Sequence, residues 1–341
     1  MEVLRNISLG QYSTMKLGGM AKYLVIADSL KTLIEASEFA ESKKIPLIVI
    51  GEGSNTIWRD EGFNGLVIVN KIKGFRQTLE NDSGCCIDIG AGEEWDKIVE
   101  KSVELKLTGI ECLSLIPGTA GAMPVQNVGA YGQDISQSLI TVSAYDRQTH
   151  KMTILTASDC HFGYRTSIFK NEQHGRFLIT SISLLLHKDS PLPPFYPSVK
   201  SYLDEHNLVN PGPETLREAV IAIRSSRLPD PRVVPNCGSF FANPTVSLDT
   251  LRRLEENYGS IPHWTVDSGE RVSAAWLIDK AGFKDYIDPE TGIATWPGQP
   301  LILVNRSAKR TTDLLMFANK ICSEVERKFS IHLTQEPELL P

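Results

Sequence analysis

The segment 116–131 holds residue types that suit a bound phosphate better than a packed core. Gly118 and Gly121 follow a proline, and glycine lets a ligand approach backbone N–H groups, which bind anions. Gln126 and Asn127 add side-chain donors and acceptors where glycine and proline disfavour a regular helix. An ordinary connector with several turns is the alternative. We call 116–131 the second glycine loop.

A similar segment lies earlier in the chain, at 51–55. It follows the apolar run 46–50, so a predicted strand leads into a glycine-rich turn that ends in Ser54 and Asn55. We call 51–55 the first glycine loop. Two such loops in one chain favour two phosphate-binding segments over two plain connectors.

Arg165 and Ser239 are the clearest chemical candidates outside these loops. Arg165 lies in a predicted loop, where its permanent charge suits an anion, although a solvated arginine is the common alternative. Ser239 lacks the G-x-S-x-G pattern of a hydrolase nucleophile. A role as a proton donor is therefore the better interpretation of this serine. Of Phe240 and Phe241, one is expected in the core and the other in a pocket wall, because neighbouring strand side chains point to opposite faces. Cys237 has no predicted base beside it and is interpreted as a buried structural thiol.

Two acids, Glu336 and Glu338, lie close to the last residue of the sequence. Composition alone predicts a frayed, solvated tail there.

The bulk composition is that of a globular protein with no preference for nucleic acid. The chain has 341 residues and a net charge of −6, whereas nucleic-acid-binding proteins usually present a basic face.

The six cysteines of the chain form no CxxC pair and are expected to be reduced. The histidines lack metal-ligand spacing, so no metal is predicted. No signal peptide or membrane span is predicted, which favours the cytoplasm.

The predicted elements mix helices and strands in the order of an α+β enzyme with two lobes and a substrate module. The first strand, helix and second strand form a β-α-β unit. The proline-rich segment 191–197 is expected to run extended over the surface. Strands are predicted at 23–27, 46–50, 66–69, 86–90, 140–145, 152–155, 177–186 and 301–304, and helices at 29–44, 94–105, 214–225, 248–258, 274–281 and 312–329.

Taken together, the motifs of this sequence resemble one family, the UDP-N-acetylenolpyruvoylglucosamine reductases. The resemblance runs through nearly the whole chain, in the family's order. The segments that carry it are Tyr12–Gly19, Gly51–Asn55, Ile116–Gly121, Gln126–Gly132, Tyr164–Arg165, Gly238–Phe241, Ala275–Asp279 and Glu336–Glu338.

The resemblance implies an α+β fold of the vanillyl-alcohol-oxidase (PCMH) type. Two subdomains hold FAD between them, and a third α+β domain binds the substrate. The implied boundaries are 1–70 together with 333–341 for the first subdomain, 71–228 for the second, with a substrate loop near 191–202, and 229–332 for the substrate-binding domain.

The resemblance also implies non-covalent FAD and NADPH as the hydride donor. Reduced flavin would pass a hydride to the enolpyruvyl group of UDP-N-acetylglucosamine enolpyruvate, giving UDP-N-acetylmuramate for peptidoglycan. The implied FAD-binding residues lie in the two glycine loops: Gly51, Gly53, Ser54, Asn55, Pro117, Gly118, Thr119, Gly121, Gln126, Asn127, Gly129, Ala130 and Tyr131.

The family's catalytic residues map onto Arg165, Ser239 and Glu338. Arg165 would stabilise negative charge on the substrate, Ser239 would donate a proton to carbon, and Glu338 would assist, with Glu336 as the alternative. Members commonly continue after this glutamate with Val-Arg and a further strand, whereas this chain ends at Pro341.

The substrate contacts implied by the resemblance are Tyr164, Tyr196, Arg227 and Asn243. Tyr196 would cover the UDP diphosphate, with Tyr202 as the alternative, and Arg227 would face that diphosphate.

Two other functions stay open at this point. A different flavin oxidase of the same fold would often tether FAD covalently, so denaturation would leave the chromophore attached. A non-catalytic relative would bind a UDP-sugar without oxidising NADPH. A monomer that binds small molecules, and neither nucleic acid nor membrane, is expected in the leading interpretation.

Overall fold

A computed structural model describes residues 1–266 and 268–341, which divide into two compact units. The first unit comprises 1–7, 21–52 and 63–226, and the second comprises 8–20, 53–62 and 227–341. The three domains implied by the resemblance use other boundaries, and they stay a prediction.

Strands and helices alternate irregularly along the chain, as expected for an α+β protein. The strands are β1 Leu4–Ser8, β2 Met20–Ala27, β3 Leu47–Ile50, β4 Thr56–Trp58, β5 Phe63–Asn70, β6 Phe75–Glu80, β7 Gly84–Gly90, β8 Gly129–Ala130, β9 Gln133–Asp134, β10 Leu139–Asp146, β11 Lys151–Thr156, β12 Phe177–His187, β13 Asn236–Ser239, β14 Thr245–Val246, β15 His263–Val266, β16 Gly269–Val272, β17 Ile293–Trp296, β18 Gln299–Asn305 and β19 Glu338–Leu340. The helices are α1 Leu30–Ser42, α2 Trp95–Glu104, α3 Pro197–Glu205, α4 Pro213–Arg227, α5 Leu248–Tyr258, α6 Ala274–Ile278 and α7 Thr311–Phe329.

A four-stranded sheet, in the order β1-β2-β5-β3, begins the first unit. Ser29 caps α1 by accepting a hydrogen bond from the Thr32 N–H at 3.2 Å. The predicted β-α-β unit of β2, α1 and β3 is present, but β5 lies between its two strands and is parallel to both. β3 leads directly into the first glycine loop.

A five-stranded antiparallel sheet, in the order β11-β10-β12-β7-β6, forms the rest of the first unit's framework. The buried face of α2, including Trp95 and Ile98, packs with side chains of β7, β10 and β12 in one apolar core. The second glycine loop adds Ala120 and Met123 to that core. The sheet and α2 therefore hold the second glycine loop in place through apolar packing.

Helix α3 begins at the last residue of the proline-rich segment. Pro197 occupies its first turn, where its missing N–H costs nothing. The prediction of an extended segment is therefore wrong at Pro197, and residues 191–196 belong to no helix or strand. Val199 and Leu203 of α3 pack with Leu216 and Val220 of α4 in a small apolar cluster.

The second unit combines two three-stranded antiparallel sheets, β13-β18-β17 and β14-β16-β15, with helices α5 to α7. Its core joins α6 and α7 to β17 and β18, with Phe317 and Leu303 fully buried. The predicted helix 248–258 agrees with α5, and Ser247 caps it by accepting a hydrogen bond from Thr250. β19 and β4 add a short parallel pair.

Asp146 at the end of β10 is a buried charge that stabilises the five-stranded sheet. It is 2% exposed and accepts hydrogen bonds from Arg176 at 2.9 and 2.7 Å. The Arg176 bonds outweigh burial and hold the pKa of Asp146 well below its usual range. The pKa of Asp146 is lower in the folded protein than in the unfolded protein. The stabilisation is therefore fully present at pH values above the unfolded-state pKa, and it is lost as the pH falls through the folded-state pKa.

We expect Asp146→Asn to lower the free energy of unfolding at neutral pH by about 2 kcal/mol, as for a lost hydrogen bond to a charged group. The deficit should shrink as the pH is lowered below about 4, where the parent also begins to lose the contribution. Urea unfolding at several pH values measures both effects. Glu80→Gln, which removes an exposed partner of Lys188, is the control and should have little effect; an equal loss in both variants would contradict the assignment.

Candidate active site

Gly51 and Glu52 of the first glycine loop contact the second glycine loop within the first unit. A Cβ on Gly51 would lie 2.3 Å from the Thr119 Oγ1, so the Thr119 side chain packs directly against the Gly51 backbone. The Glu52 carboxylate accepts a hydrogen bond from the Gly118 N–H at 3.1 Å. Burial raises the pKa of Glu52, while Lys71 opposes that rise. Glu52, which the sequence interpretation passed over, therefore joins the two loops.

Gly53 in the second unit and Gly121 in the first are each required by close contacts with other parts of the chain. Gly53 has φ +68°, and a Cβ there would lie 2.0 Å from the Tyr12 carbonyl oxygen. A Cβ on Gly121 would lie 2.5 Å from the Ala91 Cβ, and the Gly121 N–H donates to the Ala91 carbonyl at 2.9 Å. The expectation that these loops present open amides to a phosphate is therefore wrong for Gly118 and Gly121, whose N–H groups already have acceptors.

A buried hydroxyl next to the first glycine loop points to a polar ligand. Within residues 1–266 and 268–341, the Thr56 Oγ1 is buried and has no hydrogen-bond partner. Thr56 lies opposite Glu338 in the β4–β19 pair. Because an unpaired buried hydroxyl is costly, a bound polar group at this place would relieve the cost. The residues here fit a cofactor rich in oxygen and nitrogen, such as FAD.

Arg165 is held beside the second glycine loop. Its Nη2 donates to the Gly129 carbonyl at 2.8 Å, and its guanidinium lies 5.3 Å from the centroid of the Tyr164 ring. Its φ of 56° is uncommon for a bulky residue, and such strain often accompanies function. The structure thus brings together Arg165, Tyr164 and Gly129.

Asn127 helps to place this arginine. Its Nδ2 donates to the Gly163 carbonyl at 3.2 Å, and its Oδ1 accepts from the Ser136 N–H at 3.2 Å. The side chain is 7% exposed. Its amide therefore ties the turn that carries Arg165 to the second glycine loop.

Ser239 ends β13 in the second unit, opposite Ile302 of β18. Gly238 precedes it with φ +76°, and no other part of the described chain comes within 4 Å of where its Cβ would be. The conformation needs glycine, and the space that a Gly238 side chain would occupy is open.

The aromatic pair after Ser239 differs from the prediction. Phe240 and Phe241 are 0% and 2% exposed, and their rings contact each other with centroids 5.1 Å apart. Both lie in the core, because β13 ends at Ser239 and the alternation of strand side chains ends with it.

Burial raises the pKa of the Cys237 thiol to about 12, so it stays protonated. That agrees with a structural role for Cys237.

The C-terminal acids are fixed by backbone pairing rather than frayed. The Glu338 N–H donates to the Asn55 carbonyl at 3.0 Å, and Leu340 beyond it is 4% exposed. The Glu336 N–H donates to the Phe240 carbonyl at 2.9 Å. Glu338 is thus joined to the first glycine loop and Glu336 to the segment after Ser239. The frayed tail predicted from composition is wrong.

The candidate substrate residues differ in their surroundings. Tyr196 lies just before α3 and contacts the Tyr131 ring edge-on, with centroids 5.5 Å apart. Tyr202 instead stacks on His206. The Asn243 Oδ1 accepts from the Ala274 N–H at 2.9 Å and so caps α6, and Arg227 is exposed at the end of α4.

A cavity of about 340 Å³ lies beneath the proline-rich segment in the first unit. Tyr131, Tyr196, Glu111 and Cys112 are among its lining residues. The sequence interpretation missed it, because residues far apart in the chain form its walls.

Two family models match the chain. The FAD binding domain matches residues 21–148, and the C-terminal domain of UDP-N-acetylenolpyruvoylglucosamine reductase matches residues 230–340.

In the part of the chain that the structure describes, no helix is long and apolar enough to cross a membrane.

Curated relatives are similar over most of their length. A UDP-N-acetylenolpyruvoylglucosamine reductase of Pseudomonas syringae pv. syringae is 35% identical over 340 residues, covering 99% of both chains. One of Alcanivorax borkumensis is 38% identical over 296 residues, covering 87% of this chain and 84% of its own.

A solved structure has the same fold. The UDP-N-acetylenolpyruvylglucosamine reductase of Thermus caldophilus matches with a TM-score of 0.69 and 22% identity over 100% of both chains. Sequence and fold agree over the whole length, and the chain belongs to the UDP-N-acetylenolpyruvoylglucosamine reductase family.

Proposed function

We propose that this chain reduces UDP-N-acetylglucosamine enolpyruvate to UDP-N-acetylmuramate, with FAD as cofactor and NADPH as reductant. The observation that supports this most strongly is the similarity to UDP-N-acetylenolpyruvoylglucosamine reductases over 99% of the chain. The product is a precursor of peptidoglycan, so the enzyme serves cell-wall synthesis.

FAD, when bound, accepts a hydride from NADPH and supplies it to the substrate. The residues that would hold it line the two glycine loops. They are Gly51, Gly53, Ser54, Asn55, Pro117, Gly118, Thr119, Gly121, Gln126, Asn127, Gly129, Ala130 and Tyr131. The glycines act here by letting the loops pack closely, and the Thr56 hydroxyl is a further group that could contact the cofactor.

Arg165 would stabilise the charge that develops during reduction. Addition of a hydride to the enolpyruvyl methylene carbon moves negative charge toward the substrate carboxylate and gives an enolate-like intermediate. A fixed guanidinium stabilises such charge without reorganising during the step. The bond from Arg165 to the Gly129 carbonyl supplies that fixed position.

Ser239 would then donate a proton to the carbon next to the one that received the hydride. A serine hydroxyl is a weak acid, so the transfer needs a strongly basic carbon and stabilisation of the alkoxide left behind. Glu338 would share in stabilising or protonating the intermediate. We favour Glu338 over Glu336 because the β4–β19 pair joins it to the first glycine loop and the Thr56 hydroxyl.

Substrate contacts are assigned to Tyr164, Tyr196, Arg227 and Asn243. We favour Tyr196 over Tyr202 because it contacts Tyr131 of the second glycine loop, whereas Tyr202 stacks on His206. Asn243 also caps α6, so its replacement would affect that helix as well as binding. A cytoplasmic monomer without nucleic-acid or membrane partners completes the proposal.

The purified protein should show a flavin absorbance band that denaturation releases. Beyond the single equivalent that reduces its flavin, it should oxidise NADPH only when UDP-N-acetylglucosamine enolpyruvate is present. The loss of NADPH absorbance measures this turnover. UDP-N-acetylglucosamine, which lacks the enolpyruvyl group, is the matched control and should not stimulate oxidation. A protein without flavin, or one with NADPH loss independent of substrate, would refute the proposed function.

Ser239→Ala should still allow NADPH to reduce the flavin but should slow reoxidation by the substrate about 10²–10⁴-fold, the usual range for a lost proton-transfer group. Stopped-flow absorbance separates the two half-reactions. Ser247→Ala, in the exposed cap of α5, is the control and should leave both rates unchanged. Equal slowing of both half-reactions in Ser239→Ala would make this serine a structural residue.

Glu338→Gln should slow flavin reoxidation by the substrate strongly, because it removes the ionisable group and keeps the shape. Glu336→Gln is its matched partner and should reoxidise at nearly the parent rate. Stopped-flow measurements on both variants decide between the two acids; the reverse ranking would move the catalytic role to Glu336.

A further inference from the structure

Leu115, the residue just before the second glycine loop, has an unusual backbone conformation. Its φ is 55°, in the left-handed region that a branched aliphatic side chain disfavours. Tyr131 at the other end of the loop also has a positive φ, of 50°. Both ends of the loop therefore need contacts that hold them in place.

Helices α2 and α4 supply those contacts for Leu115. The Leu115 N–H donates to the Asp96 Oδ1 at 2.7 Å, and the Arg217 Nη1 donates to the same oxygen at 2.7 Å. The Leu115 carbonyl accepts from the Arg224 Nη2 at 3.2 Å. Arg217 and Arg224 lie about two helical turns apart on α4. Arg217 binds the Asp96 carboxylate that accepts from the Leu115 N–H, and Arg224 binds the Leu115 carbonyl.

The Arg217 contact is buried and consists of several hydrogen bonds. Arg217 is 8% exposed, makes a second bond to Asp96 at 3.2 Å and donates to the Ser114 Oγ at 2.8 Å. Burial alone would raise the pKa of Asp96, but the bonds from Arg217 and the Leu115 N–H lower it overall. The carboxylate therefore stays ionised at neutral pH and keeps this network intact.

Arg224 reaches both ends of the second glycine loop. In addition to the Leu115 carbonyl, it has a hydrogen bond to the Tyr131 side chain. Its Nε is buried and meets no acceptor in the described part of the chain. Arg224 is therefore kept in a costly environment at the place where the loop begins and ends.

We infer that Arg217 and Arg224 are positioning residues that hold the second glycine loop, through Leu115 and Tyr131, in the conformation that binds the flavin. The inference rests on the proposed function, in which this loop contacts FAD. Neither arginine is assigned contact with the substrate. Their effect is on the affinity of the apoprotein for FAD rather than on the chemical step.

Arg224→Met keeps the length of the side chain and removes its donors. The dissociation constant of FAD for the apoprotein, measured by flavin fluorescence, should rise about tenfold or more, as for the loss of a hydrogen bond to a charged group. Arg224→Lys and Arg217→Lys, which keep the charge, should show smaller increases. Asp146→Asn is the control, because it destabilises the same unit without touching the loop, and it should leave the FAD affinity within about twofold of the parent.

Leu115→Gly distinguishes the positioning role of Arg224 from a general loss of stability. Glycine adopts positive φ without steric cost, so it needs less help from α4. Added to Arg224→Met, it should recover part of the lost affinity, whereas in the parent it should change affinity little. An Arg224→Met dissociation constant within about twofold of the parent, or a double variant no better than Arg224→Met, would overturn the inference.

The same titration separates this inference from the proposed function. If the parent apoprotein binds no FAD, the proposed function fails. If the parent binds FAD and Arg224→Met binds it equally well, only the positioning role fails.

Discussion

The junction of the two glycine loops is the contact on which the proposed flavin site depends. The Glu52 carboxylate binds the Gly118 N–H, and Gly51 leaves room for the Thr119 side chain against its α-carbon. The carbonyl of the same residue, Gly118, accepts from the Trp95 N–H at 3.0 Å, at the start of α2. Gly118 of the second glycine loop thus contacts both Glu52 of the first glycine loop and helix α2 within the first unit. A side chain at Gly51 would clash with the Thr119 side chain.

This arrangement assigns the glycines a different task from the one their sequence pattern predicts. A glycine-rich turn after a strand usually indicates amides open to an anion. In this protein the amides of Gly118 and Gly121 bind the protein itself, and the missing side chains of Gly53 and Gly121 let neighbouring backbone segments approach. A loop held in this way before a cofactor arrives loses little conformational freedom on binding. The strained residues Leu115 and Tyr131 fit the same account, because α4 holds them.

Local patterns predicted the elements well and their assembly poorly. Ser247 followed by an amphipathic run predicts α5, and the apolar runs predict most strands of both large sheets, because these signals depend on near neighbours. The strand β19 has three residues and exists through its pairing with β4, so no local pattern could reveal it. The pair of Arg217 with Asp96 joins residues far apart in sequence, and composition does not indicate it. The site residues came from the family resemblance, and only the structure shows which of them have backbone partners.

The central claim is that the second glycine loop is already formed in the apoprotein. Hydrogen exchange of individual backbone amides, followed with and without FAD, tests it most directly. The account predicts that the Gly118 and Gly121 amides are protected in the apoprotein and change little when FAD is added, while Arg224→Met exposes Gly118 to faster exchange. Amides at both glycines that exchange freely in the apoprotein and become protected only with FAD would contradict it.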